Sequence, residues 1–288
     1  MDETDLLLQH FEAHRAHLRA VACRMLDDRA DADDAVQETW LRLSRTDIRG
    51  VENLRGWLTK VVARVCLDML RSRKSRRWEP LDERAPAEPA RKGTPEDDVL
   101  MADSIGAALL VVLQRLPPAE RVAFVLHDLF DLPFEDIAPI VGRTPPAARQ
   151  LASRARRRVR GVTPIGGADR IRQREIVDAF LAASRSGDLE GLLALLAPDV
   201  VLRADPAAQR MGAPSEVRGA RVTAAFFKGR ALGAEPAVVA DGIGLIVAPG
   251  GRLRIVVRLT IAEGKIARID AIAEAKHLDR IKLAVLDD

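Results

Sequence analysis

The sequence predicts a multidomain chain in which two all-α helical domains precede an α+β domain. Apolar residues recur at three- and four-residue spacings over residues 1–76 and again over residues 98–161, as they do in amphipathic helices. Between these ranges, residues 77–97 contain four Pro and many charged side chains, which indicates a linker. From residue 170 onward the pattern changes to two helices followed by β-type segments, which predicts a third domain over residues 170–288.

The composition excludes several classes of protein. The 288 residues include 45 Lys and Arg against 42 Asp and Glu, for a net charge of +3, and the mean hydropathy is −0.05. No apolar run is long enough to span a membrane and the N-terminus is acidic where a signal peptide is basic, so we expect a cytoplasmic protein without a membrane partner. Cys23 and Cys66 form neither a disulfide framework nor a zinc motif, so no metal and no cofactor are expected.

An acidic cluster over residues 27–38 opens one of the predicted helices. Carboxylates at a helix N-terminus cap free amides, and this structural role alone would explain them. Helical spacing also places five polar or aromatic residues together on the outer side: Asp33, Asp34, Gln37, Glu38 and Trp40. An acidic and aromatic outer face predicts a docking surface for a basic protein partner.

A helix predicted from Arg55 to about Arg76 carries a tryptophan among cations. Its polar stripe consists of Trp57, Lys60, Arg64, Asp68 and Arg71. The neighbouring apolar face, expected to be buried, consists of Leu58, Val61, Val62, Val65 and Met69. A Trp in line with cations suits stacking on an unpaired base while the cations bind phosphates. The structural alternative is a Trp that covers the edge of the core.

A helix-turn-helix outline follows over residues 132–160. A short apolar helix leads to a Gly turn, and Thr144 and Pro145 begin the second helix as N-cap and first-turn residues. The inward residues of the second helix are predicted to be Ala148, Leu151, Ala152, Ala155 and Val159. The outward residues, which are donors for base edges and phosphates, are predicted to be Arg149, Gln150, Ser153, Arg154 and Arg157. Pro139 is expected to kink the first helix, and such outlines also occur by chance in helical bundles.

The third domain is predicted to contain two helices, near residues 171–186 and 188–196, before its strands. The expected strands are Val238–Ile243, Leu245–Ala248, Leu253–Ile261 and Ile266–Ile272. The available acid–base groups are Asp205, Asp241, Asp270 and His277. No pair among them has a spacing that requires a shared site, so the sequence predicts no catalytic residue and no enzyme.

Several segments occur in a characteristic order along residues 5–161. They read DADDAVQETWLRL, NLRGWLTKVVARVCLDMLRSRKSRR, a Pro-rich linker, LQRLPPAERVAFVLHDLFDLPFEDIA and RTPPAARQLASRARRRVRG. This order resembles the bacterial RNA polymerase sigma factors of the extracytoplasmic-function group. The resemblance implies a protein that binds core RNA polymerase and directs transcription initiation at promoter DNA.

The resemblance also implies a role for each helical segment. The residues expected to bind core polymerase are Asp33, Asp34, Gln37, Glu38 and Trp40. Those expected to open and read the −10 element are Asn53, Arg55, Trp57, Lys60, Arg64, Arg71 and Arg73. Those expected to read the −35 element are Thr144, Arg149, Gln150, Ser153, Arg154 and Arg157.

Residues 170–288 resemble the SnoaL-like cone, a curved sheet wrapped around helices that some of these sigma factors carry as a C-terminal extension. We expect this cone to regulate the sigma domains by contact, with Trp78 and Leu81 of the linker as docking points, because exposed apolar residues are otherwise unfavourable there. Two alternatives stay open. One is a one-component helix-turn-helix regulator whose cone binds a small-molecule ligand, and the other is a cone that is itself an enzyme.

Overall fold

The structure is a computed structural model that describes residues 3–46, 50–76, 106–161 and 167–286. Trp78 and Leu81 lie outside these described residues. The chain divides into two compact units. Of the described residues, unit 1 contains those up to residue 76 together with 113–157, and unit 2 contains 106–112 together with 158–286.

The described residues of the first part of unit 1 form three helices, in agreement with the helical pattern predicted over residues 1–76. They are α1 (Glu3–Met25), α2 (Arg29–Leu43) and α3 (Leu54–Arg76). Asp28 caps α2, because its side chain accepts a hydrogen bond from the Ala30 amide at 2.9 Å. Large apolar side chains from all three helices are fully buried, and they include Phe11, Leu18, Met25, Leu43, Leu58 and Leu67. Each helix therefore presents its opposite face to solvent.

The second part of unit 1 contains the predicted helix-turn-helix. The elements between residues 107 and 160, of which unit 1 contains residues 113–157, are α4 (Ala107–Gln114), α5 (Pro118–Phe124), a π-helical turn (Val125–Leu129), α6 (Phe134–Val141) and α7 (Pro145–Arg160). Helix α6 continues through the exposed Pro139 and ends at Gly142, whose φ of +68° suits a glycine at a helix C-terminus. Helices α4 and α7 each cross the boundary between the units, since residues 107–112 and 158–160 belong to unit 2.

Unit 2 is an α+β domain, and the fold class predicted from the sequence is confirmed. Its helices are α8 (Gly167–Ser186), α9 (Leu189–Leu195), α10 (Pro206–Arg210), α11 (Ala220–Phe227) and α12 (Ala275–Leu278). Its strands are β1 (Leu196–Ala204), β2 (Glu216–Arg218), β3 (Ala234–Val239), β4 (Gly242–Val247), β5 (Ile255–Ala262), β6 (Lys265–Ile272) and β7 (Leu283–Ala284). They form one sheet in the order β2-β1-β6-β5-β4-β3-β7, in which only the β1–β6 pair is parallel.

One predicted strand is wrong. The expected strand Val238–Ile243 contains a turn, because Val239 at the end of β3 pairs with Gly242 at the start of β4. Ala240 in this two-residue turn has a φ of +56°, which side chains other than Gly, Asn and Asp rarely adopt. The Asp241-Gly242 dipeptide is a turn signal at this place, and the strand prediction overlooked it. Strands β1, β2 and β7 were not among the predicted strands.

The sheet of unit 2 is packed on both faces. Its inner face covers α8 and α11, where the rings of Phe180 and Phe227 meet at 5.0 Å. Apolar residues on the outer face of β3, β4 and β5 pack against Ala107, Ala108 and Val111 of α4. The first helix of the second helical region is thus part of the core of unit 2.

Candidate nucleic-acid and protein interfaces

The predicted docking stripe of α2 lies on its solvent side. Asp33, Asp34 and Gln37 are exposed, and Glu38 and Trp40 are partly buried. The opposite side of α2 is buried through Ala32, Ala35, Val36, Thr39 and Leu43. Together with two arginines of α1, the residues of the stripe other than Glu38 line a surface groove of about 590 Å³. The structure therefore brings the acidic and aromatic residues together on one accessible face.

Two of the three carboxylates on this stripe are already paired within the chain. Arg19 contacts Asp33 at 2.7 Å, and Arg42 contacts Glu38 at 2.9 Å, both as solvent-accessible ion pairs. No ion pair of Asp34 is found among the described residues. A basic partner could therefore contact Asp34 directly. To contact Asp33 and Glu38, it would have to replace Arg19 and Arg42.

The polar stripe of α3 is only partly open to solvent. Arg64, Asp68 and Arg71 are exposed, whereas Trp57 and Lys60 are partly buried. On the apolar face, Leu58, Val62 and Val65 are buried as predicted, and Val61 and Met69 are only partly buried. The helix thus separates its polar and apolar faces along the line that helical spacing predicts.

Three of the residues assigned to −10 DNA have structural contacts of their own. Asn53 accepts a hydrogen bond from the Gly56 amide at 2.8 Å and so caps the start of α3. Arg55 Nη2 lies 3.1 Å from His17 Nδ1. The pKa of His17 is lowered, mainly because the ring is partly buried and secondly because of the positive charge of Arg55. Arg73 forms an ion pair with Asp31. Each of these three side chains therefore has a structural role within unit 1.

Helix α3 also contacts the first helix of the helix-turn-helix within unit 1. Lys60 Nζ lies 2.6 Å from Asp136 Oδ1 of α6, and Arg71 donates to the carbonyl of Val141 at 3.3 Å. Two cations of the proposed −10 surface are therefore engaged by the element that supports the proposed −35 surface.

A buried arginine that the sequence analysis missed joins the same two parts of unit 1. Arg121 of α5 is only 4% exposed, and it donates to the carbonyls of Met25 and Gln114 and to the carboxylate of Asp27. The signal in the sequence was a single cation inside the apolar run of α5, which helical spacing places on the inward face.

Helix α7, the second helix of the helix-turn-helix, shows the predicted two-faced arrangement. Every residue expected to face inward is buried, namely Ala148, Leu151, Ala152, Ala155 and Val159. Every residue expected to face outward is exposed, namely Arg149, Gln150, Ser153, Arg154 and Arg157, and Thr144 is exposed as well. The Thr144 carbonyl accepts from the Ala148 amide at 2.9 Å, which begins the helix where the sequence predicted.

Two of these outward arginines are held in position by neighbouring side chains. The Arg149 guanidinium lies 5.3 Å from the ring centre of Phe134, within the range of a cation–π contact. Arg154 forms a 3.0 Å ion pair with the buried Glu120. Both contacts restrict the side chains before any ligand is bound, which favours specific recognition.

The cone carries acid–base groups whose contacts are structural. Both carboxylate oxygens of Asp205 accept backbone hydrogen bonds, one from Ala208 and the other from Ala273 and Glu274. Burial disfavours its ionised form, but these amide donors outweigh that effect and lower the pKa of Asp205. Asp205, Glu274 and His277 bring potential ligand atoms within 4.8 Å of one another, yet the Asp205 oxygens are committed to the backbone. Asp270 is held by Arg268 and Arg258.

Unit 2 also holds both ends of the helix-turn-helix region. Glu235 accepts from the Ala107 amide at 2.7 Å and from the Ala108 amide at 3.4 Å, and so caps α4. The Val285 amide donates to the carbonyl of Val159, in the last turn of α7, at 2.8 Å. No pattern in the sequence pointed to Glu235. The described helices include none that is long and apolar enough to cross a membrane.

Comparisons with known proteins match the helical part of the chain and nearly its whole length. Residues 10–76 match the family described as Sigma-70 region 2, and residues 106–159 match the one described as Sigma-70, region 4. The probable ECF RNA polymerase sigma factor SigI of Mycobacterium tuberculosis is 34% identical over 292 residues, which cover 98% of each chain.

A second relative has both a known sequence and a solved structure. The ECF RNA polymerase sigma factor SigJ of Mycobacterium tuberculosis is 40% identical over 233 residues, which cover 77% of this chain and 72% of SigJ. The crystal structure of SigJ aligns at 34% identity with a TM-score of 0.44, and the alignment covers 93% of this chain and 97% of that chain.

Proposed function

Because the chain belongs to the extracytoplasmic-function (ECF) RNA polymerase sigma factors, we propose that α2, α3 and α7 divide promoter recognition among them. A sigma factor is a transcription initiation factor that binds core RNA polymerase and promoter DNA, and it is not an enzyme. The alternative of a helix-turn-helix regulator that works without polymerase is not favoured, since it leaves the region 2 match over residues 10–76 without a role.

The outer stripe of α2 is the proposed contact with core polymerase. Asp33, Asp34, Gln37, Glu38 and Trp40 share one accessible face, with Asp34 open to a partner and the other two carboxylates in exchangeable surface pairs. Such pairs contribute little to stability, so a complementary basic surface can replace them at small cost.

The stripe of α3 is the proposed −10 surface. Trp57 supplies an aromatic face for an unpaired base, and Arg64 and Arg71 supply exposed cations for the adjacent phosphates. The remaining members of this surface are Asn53, Arg55, Lys60 and Arg73. Five of these seven residues have side-chain contacts in unit 1, namely Asn53, Arg55, Lys60, Arg71 and Arg73. We propose that DNA competes with the contacts of the four cations.

The outward face of α7 is the proposed −35 reader, and its complete separation of buried and exposed residues is the observation that carries the assignment. The exposed set combines guanidinium, amide and hydroxyl donors over three turns of one helix. These are the groups that read base edges in a major groove and contact the flanking phosphates.

Substitution of Arg149 tests this assignment. Arg149→Ala should weaken binding of the holoenzyme to a cognate −35 element by about 1–3 kcal/mol if the side chain is bidentate to a guanine, and should relax base preference at that position. Arg156→Ala is the matched control, because Arg156 lies on the same helix but is paired with Asp128 at 2.5 Å. An equal loss on cognate and base-substituted −35 DNA would contradict base reading by Arg149.

Binding of both promoter elements requires unit 1 to open. The −10 and −35 elements are about 25 base pairs apart, which is about 85 Å of duplex at 3.4 Å per base pair. Lys60 of the −10 surface and Asp136 of the helix-turn-helix are in direct contact in the structure. We therefore propose that this packing belongs to the free protein and separates when both elements are bound.

The cone is the proposed regulator of the sigma domains. Its support is the contact of unit 2 with α4 through Glu235 and with the last turn of α7 through Val285. The proposal keeps the predicted domain boundaries, which are 1–76 and 98–161 for the helical domains, 77–97 for the linker and 170–288 for the cone. It also keeps the docking roles of Trp78 and Leu81. Nothing in the comparisons supports a small-molecule ligand for the cone.

A further inference from the structure

The first residue of α6, Phe134, carries a ring that two other side chains of unit 1 contact. The guanidinium of Arg149 on α7 lies 5.3 Å from the centre of this ring. The imidazole ring of His127 lies 4.0 Å from it, with 32° between the two ring planes. Phe134 is only 7% exposed, whereas Arg149 is exposed. The three side chains therefore connect the interior of unit 1 with the outward face of α7.

The inner part of this stack is held by the backbone. His127 belongs to the π-helical turn, and its Nδ1 lies 3.0 Å from the carbonyl oxygen of Leu132. Because a carbonyl oxygen can only accept, Nδ1 carries the proton and donates it, which fixes the orientation of the imidazole. The ring of Phe134 packs against this fixed imidazole. Arg149 thus rests on a ring that has little freedom to move.

Arg149 differs from two other arginines of α7 in the kind of partner it has. Arg154 forms an ion pair with Glu120, and Arg156 forms one with Asp128. Each of these pairs offsets a positive charge and uses at least one N–H donor. Within the part of the chain that the structure describes, Arg149 has no acidic partner. Its cation–π contact restrains the guanidinium but leaves the charge available to DNA.

Restraint of an arginine raises the cost of a wrong base. A free side chain that meets a wrong base can turn its guanidinium toward a phosphate or water, and it then recovers part of the lost binding energy. Arg149 would give up its contact with Phe134 by turning away. At an exposed site such a contact changes an equilibrium constant by about 2- to 5-fold. The ring therefore adds to the penalty of a wrong base without a contact to DNA of its own.

We propose that Phe134 is a positioning residue that sets the base preference of the −35 reader. Its ring holds Arg149 in the orientation in which the guanidinium is bidentate to a guanine. Guanine is the base assigned, because in the major groove it alone presents two adjacent acceptors to a fork of donors. The proposal rests on the proposed function of α7, in which Arg149 reads a base edge.

The test uses holoenzyme formed from the full-length protein and a promoter that this holoenzyme selects from randomised DNA. Arg149→Ala first identifies the −35 base pair at which preference is relaxed. Preference is the ratio of affinities for the cognate and the substituted base pair, so inactive protein cancels. Phe134→Leu and Phe134→Met then replace the ring with apolar side chains of different shape, and either folded variant decides the outcome.

Phe130 provides a matched control four residues before Phe134. Its ring centre lies 5.4 Å from that of His17 and 5.2 Å from the guanidinium carbon of Arg24. Phe130→Leu therefore removes a ring with the same two kinds of neighbour, but the arginine that loses its contact lies on α1 and not on α7. We expect this variant to keep the wild-type base preference.

Both Phe134 variants should lower the preference at the identified base pair by about 2- to 5-fold and leave the other base pairs unchanged. The slope of log affinity against log salt should stay the same, because the charge of Arg149 is still present. In an Arg149→Ala background, Phe134→Leu should change the preference no further, since the contact is already lost.

Unchanged preference in a folded Phe134 variant would overturn the proposal. So would an equal fall in Phe130→Leu, or a fall spread over all −35 base pairs, since the ring would then only stabilise unit 1. Failure of the proposed function has a different signature. If Arg149→Ala relaxes no base pair, the −35 reading by Arg149 fails together with this proposal; if it relaxes one and the Phe134 variants do not, only this proposal fails.

Discussion

Replacement of the buried Arg121 should destabilise unit 1 more than replacement of any exposed arginine would. Arg121→Met keeps most of the side-chain volume and removes the hydrogen bonds to Asp27 and to the carbonyls of Met25 and Gln114. Each buried carbonyl left without a donor costs about 1–3 kcal/mol. Asp27 is 45% exposed and can return to water, and the cost of burying the guanidinium is relieved. We therefore expect a net loss of about 2–4 kcal/mol.

Tryptophan fluorescence provides the assay for this loss. Trp40 and Trp57 lie in unit 1, and the third tryptophan, Trp78, is replaced by Phe in every variant. Urea denaturation followed by tryptophan emission then reports on unit 1 without a signal from the cone. Arg42→Met is the control, since Arg42 lies in unit 1 and forms a solvent-accessible pair with Glu38 one helical turn away, worth about 0.3–0.5 kcal/mol. Equal transition midpoints for the two variants would refute the role of Arg121 in joining the parts of unit 1.

Three further predictions concern DNA opening and the cone. Trp57→Ala should leave binding to duplex promoter DNA unchanged but reduce strand opening, because stacking needs an unpaired base; normal permanganate reactivity at the −10 element would contradict this. Gly161→Ala should destabilise unit 2 by more than the roughly 1–2 kcal/mol expected for a positive φ alone, because its β-carbon would lie 2.6 Å from that of Ala284. Gly142→Ala, with a similar φ of +68° and open space, supplies the strain-only comparison in thermal denaturation. Deletion of residues 170–288 should change transcription from a cognate promoter when core polymerase is equally saturated with the truncated and the full-length protein. Wild-type activity of the truncated protein would contradict a regulatory role of the cone.

Sequence periodicity predicted the parts of this fold that are set by local pattern. The two faces of α7 and the apolar face of α3 follow from helical spacing, and Gly142 with Thr144 and Pro145 marks the turn of the helix-turn-helix. These features depend on residues within a few positions of one another, so a single sequence contains the necessary information.

Other features depend on contacts between distant residues, and the sequence could not show them. A row of charges across the sheet of unit 2, formed by Glu216, Arg203, Asp270 and Arg258, exists only because strand register aligns residues that are up to 67 positions apart. Glu235 caps a helix that begins 128 residues earlier. The turn at Ala240 and Asp241 was missed for a different reason, since the local signal Asp241-Gly242 was present but was overlooked between the apolar residues on either side of it.

Affinity for core RNA polymerase tests the central claim most directly. Core polymerase titrated against labelled full-length protein should give saturable binding, and Asp34→Lys with Glu38→Lys should weaken it by several kcal/mol, because both changes set like charges against a basic partner surface. Asp199→Lys with Glu263→Lys, at exposed sites of the cone, reverses the same charge elsewhere and should bind as wild type does. Unchanged affinity of the folded α2 variant would contradict the assignment of α2 as the polymerase-binding helix.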